Sequence, residues 1–451
     1  MLNCILNRVS EQENHYNLQE KTLYRTWLFQ NFQQKRLKTV CGKPLSIIDP
    51  GKRNLFEGPD FKNAQLLIGD RLVTGDVEIH VHNSDWYAHQ HQYDPVYNNV
   101  ILHVVVENSG SETVDTQSGR RVPVFRLHVN AEHNPTEPPC QNWAGFDITR
   151  GRNKLAEFAD LRFRRKGQLI KKGIIEKSAN LIFYQLICDG LGYSQNRGGF
   201  RLLAETLPLS KIYSILDQSD DGRRIITLET LLLGTAGFIE GPHSKYLRSE
   251  AKYFLGLKNN WKSLKCRYNL VLPELNWHFA GIRPANFPTR RLIALAQILA
   301  KFYPEEPAQL WINLLMTHSE IHPIQDWIRN YFQQPSGMWR NHPLLKNFRG
   351  NVLIGNRRMM DLVSNLFLPF GWAVASLRTD RVLLDRLMRL SRAVPAGEVP
   401  AAVSRWSVRI GLQKKFFTRN YLIQGAIELR HSFCDMELCK LCPLEEYEKY
   451  R

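Results

Sequence analysis

Two short stretches hold residue types that could do chemistry together: Gly58-Pro59-Asp60-Phe61 and Gly75-Asp76-Val77-Glu78-Ile79-His80-Val81-His82. Alternate residues of a β-strand share a face. A strand over 75–82 therefore sets Asp76, Glu78, His80 and His82 on one side and Val77, Ile79 and Val81 on the other. The apolar side is expected to pack on a helix. The polar side is costly to bury unless its groups are paired or bind a metal, and a simple solvent-facing strand is the plain alternative. Oxygen ligands select Mg2+ or Mn2+, and added imidazole shifts the preference toward Mn2+ or Zn2+. Such an ion polarises a phosphoryl oxygen and makes an attacking water more acidic. The segment Trp86–Asp94 adds His89, His91 and Asp94. Either these form a second metal set, as in a histidine-rich metallohydrolase of a small phosphorylated substrate, or they orient the first ligands. His103, among the apolar residues of its own strand, reads as a hydrogen-bonded core histidine.

The chain has eight cysteines. Cys434, Cys439 and Cys442 have the spacing C-x4-C-x2-C, with Pro443 next. Three thiols this close point to zinc or an iron–sulfur cluster, each of which needs a fourth ligand. Cys140, in Pro138-Pro139-Cys140-Gln141-Asn142-Trp143, is the first candidate and His431 the second. Cys4, Cys41, Cys188 and Cys266 read as buried thiols. No G-x-x-x-x-G-K-[ST], G-x-S-x-G or H-E-x-x-H sequence occurs, which argues against a P-loop, an α/β-hydrolase elbow and a zincin helix.

The elements that must position these groups follow from periodicity. Leu23, Trp27, Leu28 and Phe32 recur at helical spacing over 17–36. Short runs rich in branched residues follow as strands, at 45–48, 64–69, 71–81, 100–107 and 122–129, with a hairpin turn at Gly69-Asp70. A helix or irregular segment interrupted at Pro95 joins the third and fourth of the longer strands. Residues 131–155 contain Pro135, Pro138, Pro139, Gly145 and Gly151 and read as a linker. Helical periodicity then returns, as at 172–192, 290–303 and 381–394. The expected organisation is an α/β domain at 1–130, the linker, a helical domain at 156–430 and a cysteine-containing segment at 431–451.

With 451 residues, 43% of them apolar, the chain can build more than one core. The nearest thing to a membrane span, Leu362–Leu377, is interrupted by Asn365, and the N-terminal residues lack signal-peptide character. The expectation is a cytoplasmic protein with no membrane partner. The net charge is +17 and unevenly spread: residues 1–150 balance to −2 and residues 151–451 to +19. Arg162, Arg164, Arg165, Lys166, Lys171 and Lys172 fall in one short run. Lys258, Lys262, Lys265, Arg267, Arg283, Arg290 and Arg291 make another, with Trp261, Tyr268 and Trp277 interleaved. A basic surface attracts nucleic acid, and those aromatics could stack on bases or, as single tryptophans usually do, sit in the core. Solubility, or an acidic protein partner, is the other reading of the charge.

The order helix, strand, Pro-Asp, strand, Glu-x-His, helix, strand resembles the restriction-endonuclease-like superfamily of Pro-Asp…(Asp/Glu)-x-Lys nucleases. The resemblance implies a mixed sheet with flanking helices and an Mg2+ or Mn2+ site held by Asp60 and Glu78. His80 would stand at the lysine position, and Glu20 would be an extra acid on the first helix. The cysteine arrangement is similar to the iron–sulfur clip of AddB-type helicase-nucleases and CRISPR-associated exonucleases, with different spacing. A wider resemblance, carried by GPDFKNAQLLIGD, GDVEIHVHNSDWYAHQHQYDPVYNNVILHVV, Asn286–Arg291 and the C-terminal cysteines, is to an uncharacterised bacterial family and implies no activity. Together these give the expectation of a divalent-metal-dependent nuclease-like protein acting on DNA or RNA phosphodiesters. A non-catalytic nucleic-acid-binding or scaffold protein on the same fold is the first alternative, and the histidine-rich metallohydrolase the second.

Overall fold

The computed structural model describes residues 18–30, 32, 36–54, 58–107, 111–127, 140, 148–193, 195–241, 243–246, 251–333, 342–345, 352–412 and 416–444. They divide into two compact units. One draws on Asn14–Lys154, Val408–Leu412 and Ile427–Arg451, the other on Leu155–Ser407 and Gln413–Ala426.

The first unit is a seven-stranded mixed sheet: β1 (Leu45–Asp49), β2 (Lys52–Arg53), β3 (Phe61–Ile68), β4 (Arg71–His82), β5 (Val100–Glu107), β6 (Thr113–Asp115) and β7 (Arg121–Arg126). The order is β1-β3-β4-β5-β7-β6, with β2 added to β3. β3 and β4 form the expected hairpin, Ile68 opposite Arg71. β4 pairs β5 in parallel, which needs a crossover rather than a tight turn. The crossover is a run of short helices, Asp85–Ala88, His91–Tyr93 and Pro95–Tyr97. β4 is central, so Gly75–Val81 is buried throughout. Val77, Ile79 and Val81 pack with Leu23, Tyr24 and Trp27 of the helix Leu18–Phe29, as the alternation requires. Gly75 precedes a register shift between β4 and β5 that falls between Asp76 and Val77. A Cβ on Gly75 would come within 2.3 Å of Ile101 Cγ2 and 2.6 Å of the Asn99 carbonyl oxygen. The shift leaves Ile101 of β5 as the extra residue beside Asp76 and Val77, and bulges of this kind gather beside functional sites.

The cysteine-containing segment packs on the sheet. Met436 and Leu438 lie in the core of the sheet with Trp27, Phe61 and Val77. Arg25 pairs with Glu437, and Arg53 donates to the Ser432 carbonyl. The 131–155 linker ends early, because a helix runs from Ile148 to Glu176. The single Gly151 costs only about 1 kcal/mol in a helix, too little to break one of 29 residues.

The second unit is helical. Its core is built on Phe183, Trp261, Leu295, Trp311 and Phe367. Asn356–Leu377 is long and apolar enough to cross a membrane, but 78% of its apolar window is buried within the protein. Asp361 on this helix accepts from the Glu398 backbone N–H and the Asn420 side-chain amide. Burial pushes its carboxyl up to about 6, against the opposing pull of Arg358 and those two donors. A raised carboxyl favours the folded state at low pH, and that contribution is lost as pH rises from the ordinary value near 4 through about 6. Relative to Asp361→Asn, the wild type is therefore expected to lose on the order of 3 kcal/mol of stability between pH 4 and pH 7. Urea unfolding across that window checks it, and parallel pH profiles for the two proteins would refute it.

Candidate metal centre

Pro59 is buried and leads the chain into β3, so that Asp60 stands across from Glu78. The two carboxylates are locked by crossed hydrogen bonds. The Asp60 backbone N–H donates to Glu78 Oε2 at 2.9 Å, and the Ile79 N–H donates to Asp60 Oδ2 at 2.8 Å. This anchors one oxygen of Glu78 and presents the other to imidazoles. Glu78 Oε1 lies 3.3 Å from His91 Nε2 and 3.5 Å from His80 Nε2, and His80 Nε2 lies 3.2 Å from His89 Nδ1. Ligands about 2.0–2.1 Å from a tetrahedral ion are about 3.3–3.4 Å from one another. These three separations are close to one edge of such a tetrahedron. His80, His89 and His91 are also the one group of three or more such ligand residues, among the described residues, whose donor atoms lie within 4.8 Å of each other.

The set has a supporting layer. His80 Nδ1 lies 2.8 Å from Nε2 of His103, which is fully buried on β5. Burial and the neighbouring His91 push His103 down to about 3. Burial and then His103, His91 and His89 push His80 well below its ordinary value. Both rings are thus neutral near pH 7. A His80 proton on Nδ1 is donated to His103 and leaves the Nε2 lone pair facing Glu78, His89 and His91. Ligating histidines are commonly fixed in this way. Trp86 and Tyr97 back the group, with the His91 ring stacked 3.8 Å from that of Tyr97.

His89 and His91 reach one place because the backbone breaks between them. Residues two apart on a helix do not share a face, but Gln90 adopts φ 62°, a conformation that costs roughly 1–3 kcal/mol and gathers at functional sites. Other sequence candidates lie elsewhere. Asp76 is taken up by Lys62 Nζ at 2.8 Å and the Asn63 N–H, His82 pairs with Glu107 at the surface, and Asp94 caps the turn at Val96. Glu20 falls on the first helix, with its side chain outside the described residues. Lys62, two residues past Asp60 and half-exposed beside Asp76, is the residue the sequence reading passed over. Its signal was the Pro-Asp-Phe-Lys spacing.

The basic residues separate into two kinds. Arg162 and Lys166 are buried and donate to Gln424 and Asn365. Arg291 is buried and donates to the Leu353 carbonyl, Tyr193 and Asn286. Lys171 donates to Ser376. These groups hold the helical unit together rather than presenting a row to a polyanion. Trp261 and Trp277 are likewise buried in its core. Arg165 and Arg290 are half-buried, while Arg164, Lys172, Lys258, Lys262, Arg267 and Arg283 are exposed. Of the remaining cysteines, Cys188 is buried, whereas Cys41 is half-buried and Cys266 exposed; Cys4 lies outside the described residues.

Glu78 with three imidazoles is a donor set for a transition metal rather than for Mg2+ alone. Comparison with known proteins gives no curated protein and no solved structure that matches. A family model does match, over residues 20–398, and spans the centre and most of the helical unit; the chain belongs to the family described as Protein of unknown function (DUF2851).

Proposed function

We propose that the protein is a divalent-metal-dependent phosphoester hydrolase whose substrates are nucleic-acid phosphodiesters. The observation that carries this reading is the gathering of the His80, His89 and His91 donor atoms within 4.8 Å of one another, with Glu78 Oε1 3.3 Å from His91 and 3.5 Å from His80 and a second carboxylate, Asp60, beside them. His80, His89 and His91 would hold the ion with Glu78 beside them, and His103 would fix the His80 ring. The ion supplies a Lewis acid and a more acidic water. Asp60, half-exposed at the edge of the set, orients that water. Lys62, on β3 two residues past Asp60, holds its ammonium group against Asp76 of β4, where it can also balance a phosphate charge. The exposed cations and the +17 net charge favour a polyanionic substrate.

The test is hydrolysis of linear duplex and single-stranded substrates by the full chain with Zn2+, Mn2+ or Mg2+, against Glu78→Ala. Turnover by wild type that the variant lacks is the expected result; equal turnover removes this site from the chemistry. Salt-dependent binding without turnover would favour a non-catalytic protein instead. A small phosphorylated substrate is the second reading. It is favoured by the burial of Arg162, Lys166 and Arg291, which leaves fewer cations for a long strand.

A further inference from the structure

We infer that Cys140, Cys434, Cys439 and Cys442 form a second metal site, one that takes an iron–sulfur cluster. All four belong to the α/β unit. The segment carrying three of them is held there by Met436 and Leu438 in the sheet core and by the Arg25 and Arg53 contacts. Its backbone doubles back twice. A π-turn at Arg430–Cys434 closes with Asp435 N–H on the Arg430 carbonyl at 2.7 Å, and Leu438 N–H then donates to the Phe433 carbonyl at 2.8 Å. Glu437 takes φ 53°, and a tight turn at Cys439–Leu441 closes with Cys442 N–H on the Cys439 carbonyl at 2.9 Å. These turns keep the chain compact between Cys434 and Cys442.

Cys140 is buried, although it comes from a part of the sequence almost 300 residues earlier. The four thiols share one electrostatic neighbourhood. Cys434 lies within Coulomb reach of Cys442, Cys140 and Cys439, and of Arg409. A buried thiol and three half-buried ones around Cys434 are a ligand set that positive metal ions would neutralise.

The spacing separates the two metals. Thiolates about 2.3 Å from one zinc ion stand about 3.8 Å apart. No three of these sulfurs form a group within 4.8 Å, since among the described residues the histidine set alone does so. A cluster whose thiolates each bind a different iron accepts a wider set.

The test is anaerobic purification of the full chain, followed by iron, acid-labile sulfide and zinc analysis and a visible spectrum. The expected result is about four iron and four sulfide per chain, with visible absorption that bleaches on reduction. Cys140→Ser and Cys439→Ser should each lower iron at least tenfold, while Cys266→Ser, exposed and in the other unit, should leave it unchanged. One zinc that disappears in Cys439→Ser would overturn the cluster assignment, and wild type without iron or zinc at these thiols would overturn the site. Electron paramagnetic resonance of reduced wild type gives the same decision if the serine variants fail to fold. Glu78→Ala should retain its iron and sulfide, so this inference and the proposed hydrolase can fail separately.

Discussion

Wild-type protein is expected to bind about one equivalent of Zn2+ or Mn2+ at the histidine set, and Glu78→Ala or His91→Ala to weaken that binding by more than about 100-fold. Removal of an outer partner alone typically costs 10–100-fold, and each of these variants deletes a donor from a four-residue set. Glu78 has a further role: its Oε2 receives the Asp60 N–H, so the variant also frees the start of β3. His103→Phe separates ligation from support. It keeps the volume of a buried ring and removes the nitrogen 2.8 Å from His80 Nδ1, so its loss should fall in the 10–100-fold range. Titration calorimetry on chelator-treated protein, with circular dichroism as the folding control, reads both effects. Wild-type affinity in well-folded Glu78→Ala and His91→Ala would show that the set binds nothing.

The helical unit offers the second large effect. Gly234, on the helix Arg224–Thr235, leaves room for Trp261, on the helix Ala251–Tyr268. A Cβ at Gly234 would lie 2.1 Å from Trp261 Cε3 and 2.4 Å from its Cδ2. Alanine ordinarily stabilises a helix interior by about 1 kcal/mol over glycine, but overpacking against a fully buried ring costs about 1–3 kcal/mol. Gly234→Ala should therefore destabilise. Trp261→Ala should cost about 3–5 kcal/mol through lost burial and the cavity left behind. Its indole N–H lacks a hydrogen-bond partner among the described residues, so no polar contact is forfeited. In the Trp261→Ala background the obstacle is gone, and Gly234→Ala should change sign and stabilise. Urea unfolding of the four proteins measures this; a Gly234→Ala effect of the same sign in both backgrounds would refute the interlock.

Much of the α/β unit was legible because strand signals are local. The branched runs at 45–48, 71–81 and 100–107 and the Gly69-Asp70 turn are where strands and hairpin occur. β2 and β6, two and three residues long, are too short to carry an alternation. Asp60, Glu78 and His80 could be paired from spacing, because a strand fixes which side chains share a face. That His89 and His91 join Glu78 could not. It depends on the left-handed Gln90 and on the crossover folding over β4, and Asp94, in the same motif, turns away to a cap. His103 was expected as a core histidine with a partner; the partner is His80 itself. Charge was readable as composition but not as exposure. Arg162 and Lys166 are four residues apart, so they share a helix face, and that face is the buried one.

The α/β unit is assembled from Asn14–Lys154 and from two later stretches, Val408–Leu412 and Ile427–Arg451, that follow about 250 residues further on. During translation the sheet emerges first, while Met436 and Leu438, which complete its core, are still unmade. At roughly 5–20 residues per second the ribosome delivers them only after tens of seconds. Through that interval the apolar surface of β4 and the helix beneath it stays incompletely covered, and a nascent chain stalled before Ile427 would be a natural client for chaperones.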